Sequence, residues 1–234
     1  ATSQLTPVAV NVAGVLAGKT ITKIFAGGNH TCAIDSAGKL YCWGLNNSGQ
    51  LGDGTTTNTS LPIAIGTSGV LAGKTITAGG AGNHTCVTDS ANALYCWGIN
   101  TYGAFGNGTT SSTASSTPVN VPLAGGLAGK TIKKLAVGSW STCAIGSDDK
   151  AYCWGLGTSG QVGNGATLSV STPTAVSTAG VLAGKTITDI SVYYQHTCAV
   201  TSDAKAACWG NNASGRLGNN STTNTSSPVL VVDP

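Results

Sequence analysis

The 234-residue sequence has no glutamate and no methionine. Only 8% of its residues are charged, about a third of the usual share. All eight acidic residues are aspartates, and the ten lysines and one arginine form no basic run. Nucleic-acid binding requires a concentrated cationic face, so we expect no nucleic-acid partner. No apolar run approaches the roughly 20 residues that a membrane-spanning helix needs. We therefore expect no membrane span either.

Signatures of catalysis are also missing. Gly-Lys-Thr occurs four times, but a phosphate-binding loop needs a further glycine five residues before its second glycine. The residues at that position are Ala13, Ser68, Ala124 and Ala179. There is no Gly-x-Ser-x-Gly nucleophile motif, and paired-carboxylate chemistry is disfavoured by the lack of glutamate. We expect no enzyme activity, no cofactor and no metal.

Two repeated motifs dominate what is present. Leu-Ala-Gly-Lys-Thr-Ile begins at Leu16, Leu71, Leu127 and Leu182, and Cys-Trp-Gly recurs with spacings of 54 to 57 residues. Repeats of this length indicate a solenoid or a propeller. We interpret residues 1–234 as a single β-propeller domain with repeat units at approximately 12–65, 66–121, 122–176 and 177–232.

Each unit contains signals for strands and turns, without sustained helical periodicity. In the first unit the strand segments are 20–25, 30–34, 39–43 and 62–65, with a long polar loop before the last of them. Four short strands per repeat, separated by Gly and Asn turns, are typical of propeller blades. The predicted fold class is all-β, with four blades of four strands each.

The eight cysteines form four regular pairs, each with nine residues between its members. Zinc ligands usually pair at two to four residues, so disulfides are favoured over a metal site. If Cys32 faces Cys42, the hairpin loop is Ser36, Ala37 and Gly38, with glycine where a positive φ is needed. We predict one disulfide in each blade. The pairs are Cys32–Cys42, Cys86–Cys96, Cys143–Cys153 and Cys198–Cys208.

The cysteines also favour an oxidising compartment. Together with a first residue that is not Met, they lead us to expect a removed signal peptide. The predicted location is extracellular or at the cell surface.

The units resemble repeats of the regulator of chromosome condensation family. The matching features are His-Thr-Cys-Ala-Ile, Tyr-Cys-Trp-Gly and the loop Asn-Asn-Ser-Gly-Gln-Leu-Gly-Asp-Gly at residues 46–54. The resemblance implies a propeller that serves as a rigid platform for binding. The family usually closes a ring of seven blades, whereas this sequence has four repeats, and paired cysteines are not a feature of its nuclear members.

Some residues recur in the repeats and others interrupt them. His30, His84 and His196 occupy equivalent positions and are expected to make structural hydrogen bonds. The recurring tryptophans Trp43, Trp97, Trp154 and Trp209 are expected to form the core between blades. Trp140, Tyr193 and Tyr194 interrupt the repeat pattern and are candidate contact residues, since aromatic side chains often anchor interfaces.

The polar loops contain many Asn-x-Ser/Thr sequons, which are candidates for covalent glycans in a secreted protein. These lie at Asn29, Asn46, Asn58, Asn83, Asn107, Asn212, Asn219, Asn220 and Asn224.

The chain has one apolar closing strand more than four blades require. Each repeat has its own closing strand, and in the last repeat this strand is Pro228, Val229, Leu230, Val231 and Val232. A similar segment precedes the first repeat and consists of Pro7, Val8, Ala9 and Val10. The surplus strand at 7–10 could double up at ring closure, belong to a longer array, or complete a blade of another subunit.

Two functions remain open. The first is a non-catalytic structural subunit of an extracellular, cell-surface or filamentous assembly, which binds protein, chiefly itself, head to tail through its terminal strands and propeller faces. The alternative is a secreted binding module, an adhesin or inhibitor, that presents a propeller face to a protein or glycan.

Overall fold

The computed structural model describes residues 5 to 232, which form sixteen β-strands in four antiparallel sheets of four strands each. The predicted all-β fold of four four-stranded blades is confirmed. In chain order the strands are β1 (Ile21–Ala26), β2 (His30–Asp35), β3 (Leu40–Gly44), β4 (Thr59–Ile65), β5 (Ile76–Ala81), β6 (His84–Asp89), β7 (Leu94–Asn100), β8 (Ser111–Val121), β9 (Ile132–Val137), β10 (Ser141–Gly146), β11 (Ala151–Gly155), β12 (Val170–Ala175), β13 (Ile187–Tyr193), β14 (His196–Thr201), β15 (Ala206–Gly210) and β16 (Thr225–Leu230).

Each sheet is a simple up-and-down meander made from one repeat. Blade 1 contains β1–β4, blade 2 contains β5–β8, blade 3 contains β9–β12 and blade 4 contains β13–β16. A short 3₁₀ helix precedes the first strand of each blade. These helices span Gly14–Leu16, Gly69–Leu71, Gly125–Leu127 and Gly180–Leu182.

The hairpin register is the one that the cysteine spacing predicts. Cys32 lies opposite Cys42, and a disulfide joins β2 and β3 across a Cα–Cα distance of 4.1 Å. The other three blades contain the equivalent bond, so the four predicted disulfides are confirmed.

The position that needs a positive φ is also as predicted. Gly38 has φ +71°, and the residues that replace it have φ between +59° and +63°. These are Asn92, Asp149 and Ala204. Since Ala lacks the local hydrogen bonds that Asn and Asp can make, its left-handed conformation costs about 1–2 kcal/mol. The fourth hairpin therefore carries this cost without compensation.

The blades pack in sequence order along an open array. Strand β5 contacts blade 1, β9 contacts blade 2 and β13 contacts blade 3. Three apolar clusters fill these junctions. Within residues 5–232, no comparable packing joins blade 4 to blade 1. The ring is therefore open, with one uncovered face at each end.

The additional strand predicted at residues 7–10 is not formed. This segment has no sheet pairing among the described residues, and Val8 and Val10 are exposed. The reason is that each blade already takes its outer strand from its own repeat. In blade 4 this strand is β16, where Cys208 lies opposite Val229.

Candidate functional site

The junction between two blades is organised around one backbone carbonyl. In the first junction, the carbonyl of Gln50 in the long loop of blade 1 accepts two hydrogen bonds from blade 2. The hydroxyl of Thr85 donates at 2.7 Å and the indole Nε1 of Trp97 donates at 2.9 Å. Both donors are fully buried. A buried carbonyl with both lone pairs satisfied fixes the register of the two blades.

The other two junctions repeat this arrangement. Thr142 and Trp154 of blade 3 donate to the carbonyl of Ala104 at 2.8 and 2.9 Å. In the last junction the donors are Thr197 and Trp209, which reach the carbonyl of Gln161 at 3.2 and 3.0 Å. The position of the tryptophans between blades was expected from the sequence, but the role of the threonine was not. The recurrence of this threonine in His-Thr-Cys is the sequence signal that could have identified it.

Histidine completes two of the three junctions. Nε2 of His30 lies 2.8 Å from Oγ1 of Thr85, and Nε2 of His84 lies 2.7 Å from Oγ1 of Thr142. Each threonine gives its only proton to a carbonyl, so the imidazole must donate from Nε2. At the third junction the equivalent residue is Ser141.

Both histidines are held in the neutral form. Burial lowers the pKa of His30 to about 4. Burial, with a smaller contribution from the nearby His30, lowers the pKa of His84 to about 3. Because each threonine gives its proton to a carbonyl and the imidazole donates to the threonine oxygen, the histidine is not placed to take the hydroxyl proton as a general base would. This arrangement is structural. Within residues 5–232, no three His, Cys, Asp or Glu side chains cluster as a metal site would require.

The first strand of blades 2, 3 and 4 begins with an isoleucine that packs into the preceding blade. Ile76 packs with Cys32, Ile34 and Leu40 of blade 1, and its backbone N–H donates to the carbonyl of Gly38 at 2.8 Å. Ile132 and Ile187 occupy the same place in the following junctions. At the first and third junctions this residue combines an apolar anchor with a backbone hydrogen bond between blades. At the second junction the N–H of Ile132 donates instead to the side-chain Oδ1 of Asn92 at 2.7 Å.

Within residues 5–232 no blade precedes blade 1, and its junction residues are uncovered. Ile21 is 40% exposed, whereas its equivalents in the inner junctions are between 4% and 8% exposed. Ile24 is 65% exposed, and Thr31 and Trp43 are half-buried. We call these four residues the leading face. They are the surface that blades 2, 3 and 4 bury.

The part of the chain that the structure describes contains no blade after blade 4, and the opposite side of a junction is uncovered there. Val200 is 40% exposed, against 2–3% for its equivalents. Val231 is 41% exposed, against 2–6% for its equivalents. His196 and Cys198 are half-buried. These four residues form the trailing face. A pocket of about 190 Å³ lies on this blade, lined by Cys198, Val200 and Ala206 among others.

The candidate contact aromatics lie elsewhere. Trp140 is half-buried and packs edge-to-face against Tyr102, with ring centroids 5.5 Å apart. Tyr193 and Tyr194 are exposed, and Tyr194 has φ +46°. The structure therefore gives Trp140 an aromatic partner that the sequence analysis did not identify.

Two of the sequon asparagines are not available for a glycan. Asn46 is fully buried, and its side-chain amide donates to Asp53, Thr55 and Thr57 within the long loop. Asn212 is likewise buried and makes the equivalent bonds in the fourth repeat. A sugar on either Nδ2 would displace this network, so these two predictions are wrong for the folded chain. The other seven sequon asparagines are exposed or half-buried.

Four repeated blades joined by Thr, Trp and His contacts define an open β-propeller array. Family models agree with this class. The regulator of chromosome condensation (RCC1) repeat matches at residues 37–88, 92–145 and 148–200, and a second model of the same repeat matches at 21–50, 132–161 and 187–216. The chain belongs to the RCC1 repeat family. Its propeller is a protein-interaction module.

Curated relatives support the assignment. The chain is 30% identical over 216 residues to the human E3 ubiquitin-protein ligase HERC2, covering 91% of this chain and 4% of that protein. It is 29% identical over 214 residues to the ultraviolet-B receptor UVR8 of Arabidopsis thaliana, covering 92% and 46%. The chain thus spans less than half the length of these relatives.

Solved structures share the fold. Human WBSCR16 matches with a TM-score of 0.81 at 21% identity, covering 93% of this chain and 54% of that chain. Prp20p of Saccharomyces cerevisiae, described together with its binding to Gsp1p and histones, matches with a TM-score of 0.78 at 18% identity. The match covers 93% of this chain and 51% of Prp20p, so the chain again spans about half of its relative.

No helix within residues 5–232 has the length and apolar character needed to cross a membrane.

Proposed function

We propose that this chain is a non-catalytic structural subunit of an extracellular or cell-surface assembly, in which its open propeller array binds protein through its two ends. The observation that carries this proposal is the exposure at the leading and trailing faces of positions that are buried at the inner junctions, except that the equivalent of Ile24 in blade 2 is the half-buried Gly79. Contiguous apolar surface of this kind marks interaction sites.

The extracellular setting is supported by the disulfide in every blade. Such bonds persist in oxidising compartments and are rare in the cytosol. Glycans on the accessible sequons, for example Asn29 and Asn220, would fit this setting and would help a surface with only 8% charged residues to remain hydrated.

The test is the mass and shape of the oxidised 234-residue chain in solution. We expect light scattering to show association that increases with concentration, and electron microscopy to show rings or filaments of stacked blades. A chain that remains monomeric at high micromolar concentration would contradict the structural role.

The edge-to-face pair of Tyr102 and Trp140 favours a second candidate function, a secreted binding module that presents this aromatic pair to a protein or glycan. This version predicts a monomer whose binding to its target is lost when Trp140 is changed to Ala. The control is Leu168→Ala, an exposed apolar residue in a loop of blade 3. If binding survives Trp140→Ala, this alternative is excluded.

A further inference from the structure

We propose that the trailing face of one copy of this chain binds the leading face of a second copy, in the register that joins successive blades within the chain. This interface would specify how the assembly proposed above forms, so it rests on that proposal. The chain contains the same junction three times, and its two end faces carry the two separated halves of a fourth.

The apolar half of the junction matches first. Ile187 packs against Cys143, Ile145 and Ala151 of the preceding blade. In blade 4 the residues equivalent to that trio are Cys198, Val200 and Ala206, which line the uncovered pocket. Ile21 of a second copy is the equivalent anchor. An exposed isoleucine and an exposed apolar pocket would thus bury each other.

The hydrogen-bonding groups match as well. At the inner junctions, Thr and Trp of one blade donate to a loop carbonyl of the blade before it. In blade 4 the equivalent carbonyl belongs to Arg216, and in blade 1 the equivalent donors are Thr31 and Trp43. Neither donor makes a side-chain hydrogen bond within residues 5–232. Docking in register would bring these donors onto the carbonyl of Arg216.

Two further contacts follow from the same register. Nε2 of His196 would meet the hydroxyl of Thr31, as Nε2 of His84 meets that of Thr142. The N–H of Ile21 would meet the carbonyl of Ala204, as the N–H of Ile187 meets the carbonyl of Asp149. Every polar group of the junction thus has a partner of the correct type on the other end of the chain.

Charge selects a second copy over an unrelated apolar partner. The third residue of the first strand of each blade varies in charge. From blade 1 to blade 4 this residue is Lys23, Ala78, Lys134 and Asp189. Lys134 and Asp189, which occupy this position in adjacent blades, form a salt bridge. Continued into a second copy, the series places Lys23 beside Asp189. Opposite charges thus occur at the one junction that the isolated chain leaves open, and complementary charge favours partner choice.

The contact uses different surfaces on the two copies. It is therefore heterologous, and an open assembly of any size still presents one free leading face and one free trailing face until the array closes on itself. Such contacts generate rings when the rotation closes and helical filaments when it does not. The apolar anchor contributes affinity, while the paired charges contribute register.

The first experiment measures association of the oxidised chain by sedimentation velocity. Ile21→Asp places a carboxylate in a pocket that is lined by Cys198, Val200 and Ala206 and also by Asp189, so it is left unpaired beside a like charge and association should weaken by about tenfold or more, as for loss of a central anchor. The matched control is Leu168→Asp, which alters a more exposed apolar side chain outside both end faces and should associate like the unmodified chain. Intact disulfides and unchanged circular dichroism show that both variants are folded.

The second experiment exchanges the charges. Lys23→Asp and Asp189→Lys should each reduce self-association, because each brings like charges together at the interface. Asp189→Lys also removes the salt bridge to Lys134 within its own chain, so the stability of this variant is checked by urea unfolding. Mixing the two variants restores opposite charges at every contact and should restore association. A variant that had lost association through misfolding would not be rescued by mixing.

The outcomes separate this interface from the broader function. If the chain associates but neither Ile21→Asp nor the charge exchange alters its association, the interface is wrong and the structural role stands on other contacts. If the 234-residue chain stays monomeric, both proposals fail. Further repeats of a longer polypeptide would then be the natural occupant of the end faces, and the native protein would have a correspondingly larger mass.

Discussion

Acidification should destabilise this propeller well above the pH at which its carboxylates titrate. His30 and His84 are buried in neutral form, with their pKa lowered by burial to about 4 and about 3. In the unfolded chain a histidine has a pKa of about 6.5. Between these values the unfolded state binds a proton that the folded state does not. Stability is therefore complete above about pH 6.5 and is lost as the pH falls toward the folded-state values.

The magnitude follows from the unfolded-state titration. At pH 5 an exposed histidine is almost fully protonated, whereas both buried histidines remain neutral, so lowering the pH from 7 to 5 costs about 2 kcal/mol for each residue. The sum of about 4 kcal/mol is a large share of the usual 5–15 kcal/mol of a folded domain. The pKa of His196 is also lowered, by burial first and by Arg216 second, so it acts in the same direction.

The aspartates contribute little to the change in stability between pH 7 and pH 5. Although burial opposes it, hydrogen bonds from backbone amides and a tyrosine hydroxyl hold the pKa of Asp35 and of Asp89 below the ordinary value. Their contribution is present above about pH 4 and is lost only below it. The change between pH 7 and pH 5 thus reports on the histidines.

The assay is urea unfolding followed by tryptophan fluorescence at pH 7, 6 and 5 and constant ionic strength. The matched variant is His84→Ser, which introduces the serine that the third repeat has as Ser141. Its loss of stability over this interval should be smaller than that of the unmodified chain by about 2 kcal/mol. Equal losses for the two proteins would refute the claim that His84 is buried and neutral.

Two further predictions concern packing and covalent structure. In Gly82→Ala the new Cβ would lie 1.7 Å from the carbonyl oxygen of Gly138, whereas in Gly28→Ala it would meet no atom within 4 Å. Thermal unfolding should therefore show a large loss of stability for Gly82→Ala and little change for Gly28→Ala. Equal unfolding midpoints for the two variants would contradict the packing of blade 2 on blade 3. Replacing Cys86 and Cys96 with Ala removes a disulfide that closes a loop over a sequence separation of 10, and it should lower the free energy of unfolding by about 2–3 kcal/mol. Urea unfolding measures this free energy. An unchanged value would mean that the bond does not form in the protein.

Much of the blade could be predicted because its signals are local. The nine residues between paired cysteines determine which residues face each other, and the count leaves one loop position that needs a positive φ. Gly38 and Ala204 both adopt it, although only the first is suited to it. Because the repeat occurs four times, the prediction made for one hairpin applies to all four.

The surplus strand shows where local signals failed. Val8 and Val10 match the pattern of the closing strands, yet they lie exposed outside any sheet. A strand forms only where a neighbouring edge accepts its hydrogen bonds, and the pattern of one segment carries no information about that edge. For the same reason a sequon does not reveal that Asn46 is buried, since its burial depends on contacts made across its own loop.

The repeat, the hairpin register and the paired cysteines can all be read from the sequence, because each depends on residues close together in the chain. Which copy of a repeated residue is buried depends on how the blades pack. Ile21 and Ile76 occupy the same position in their repeats, yet one is 40% exposed and the other 5% exposed. The difference arises because a preceding blade covers the second and none covers the first, and the position of neighbouring blades is a property of the packed array.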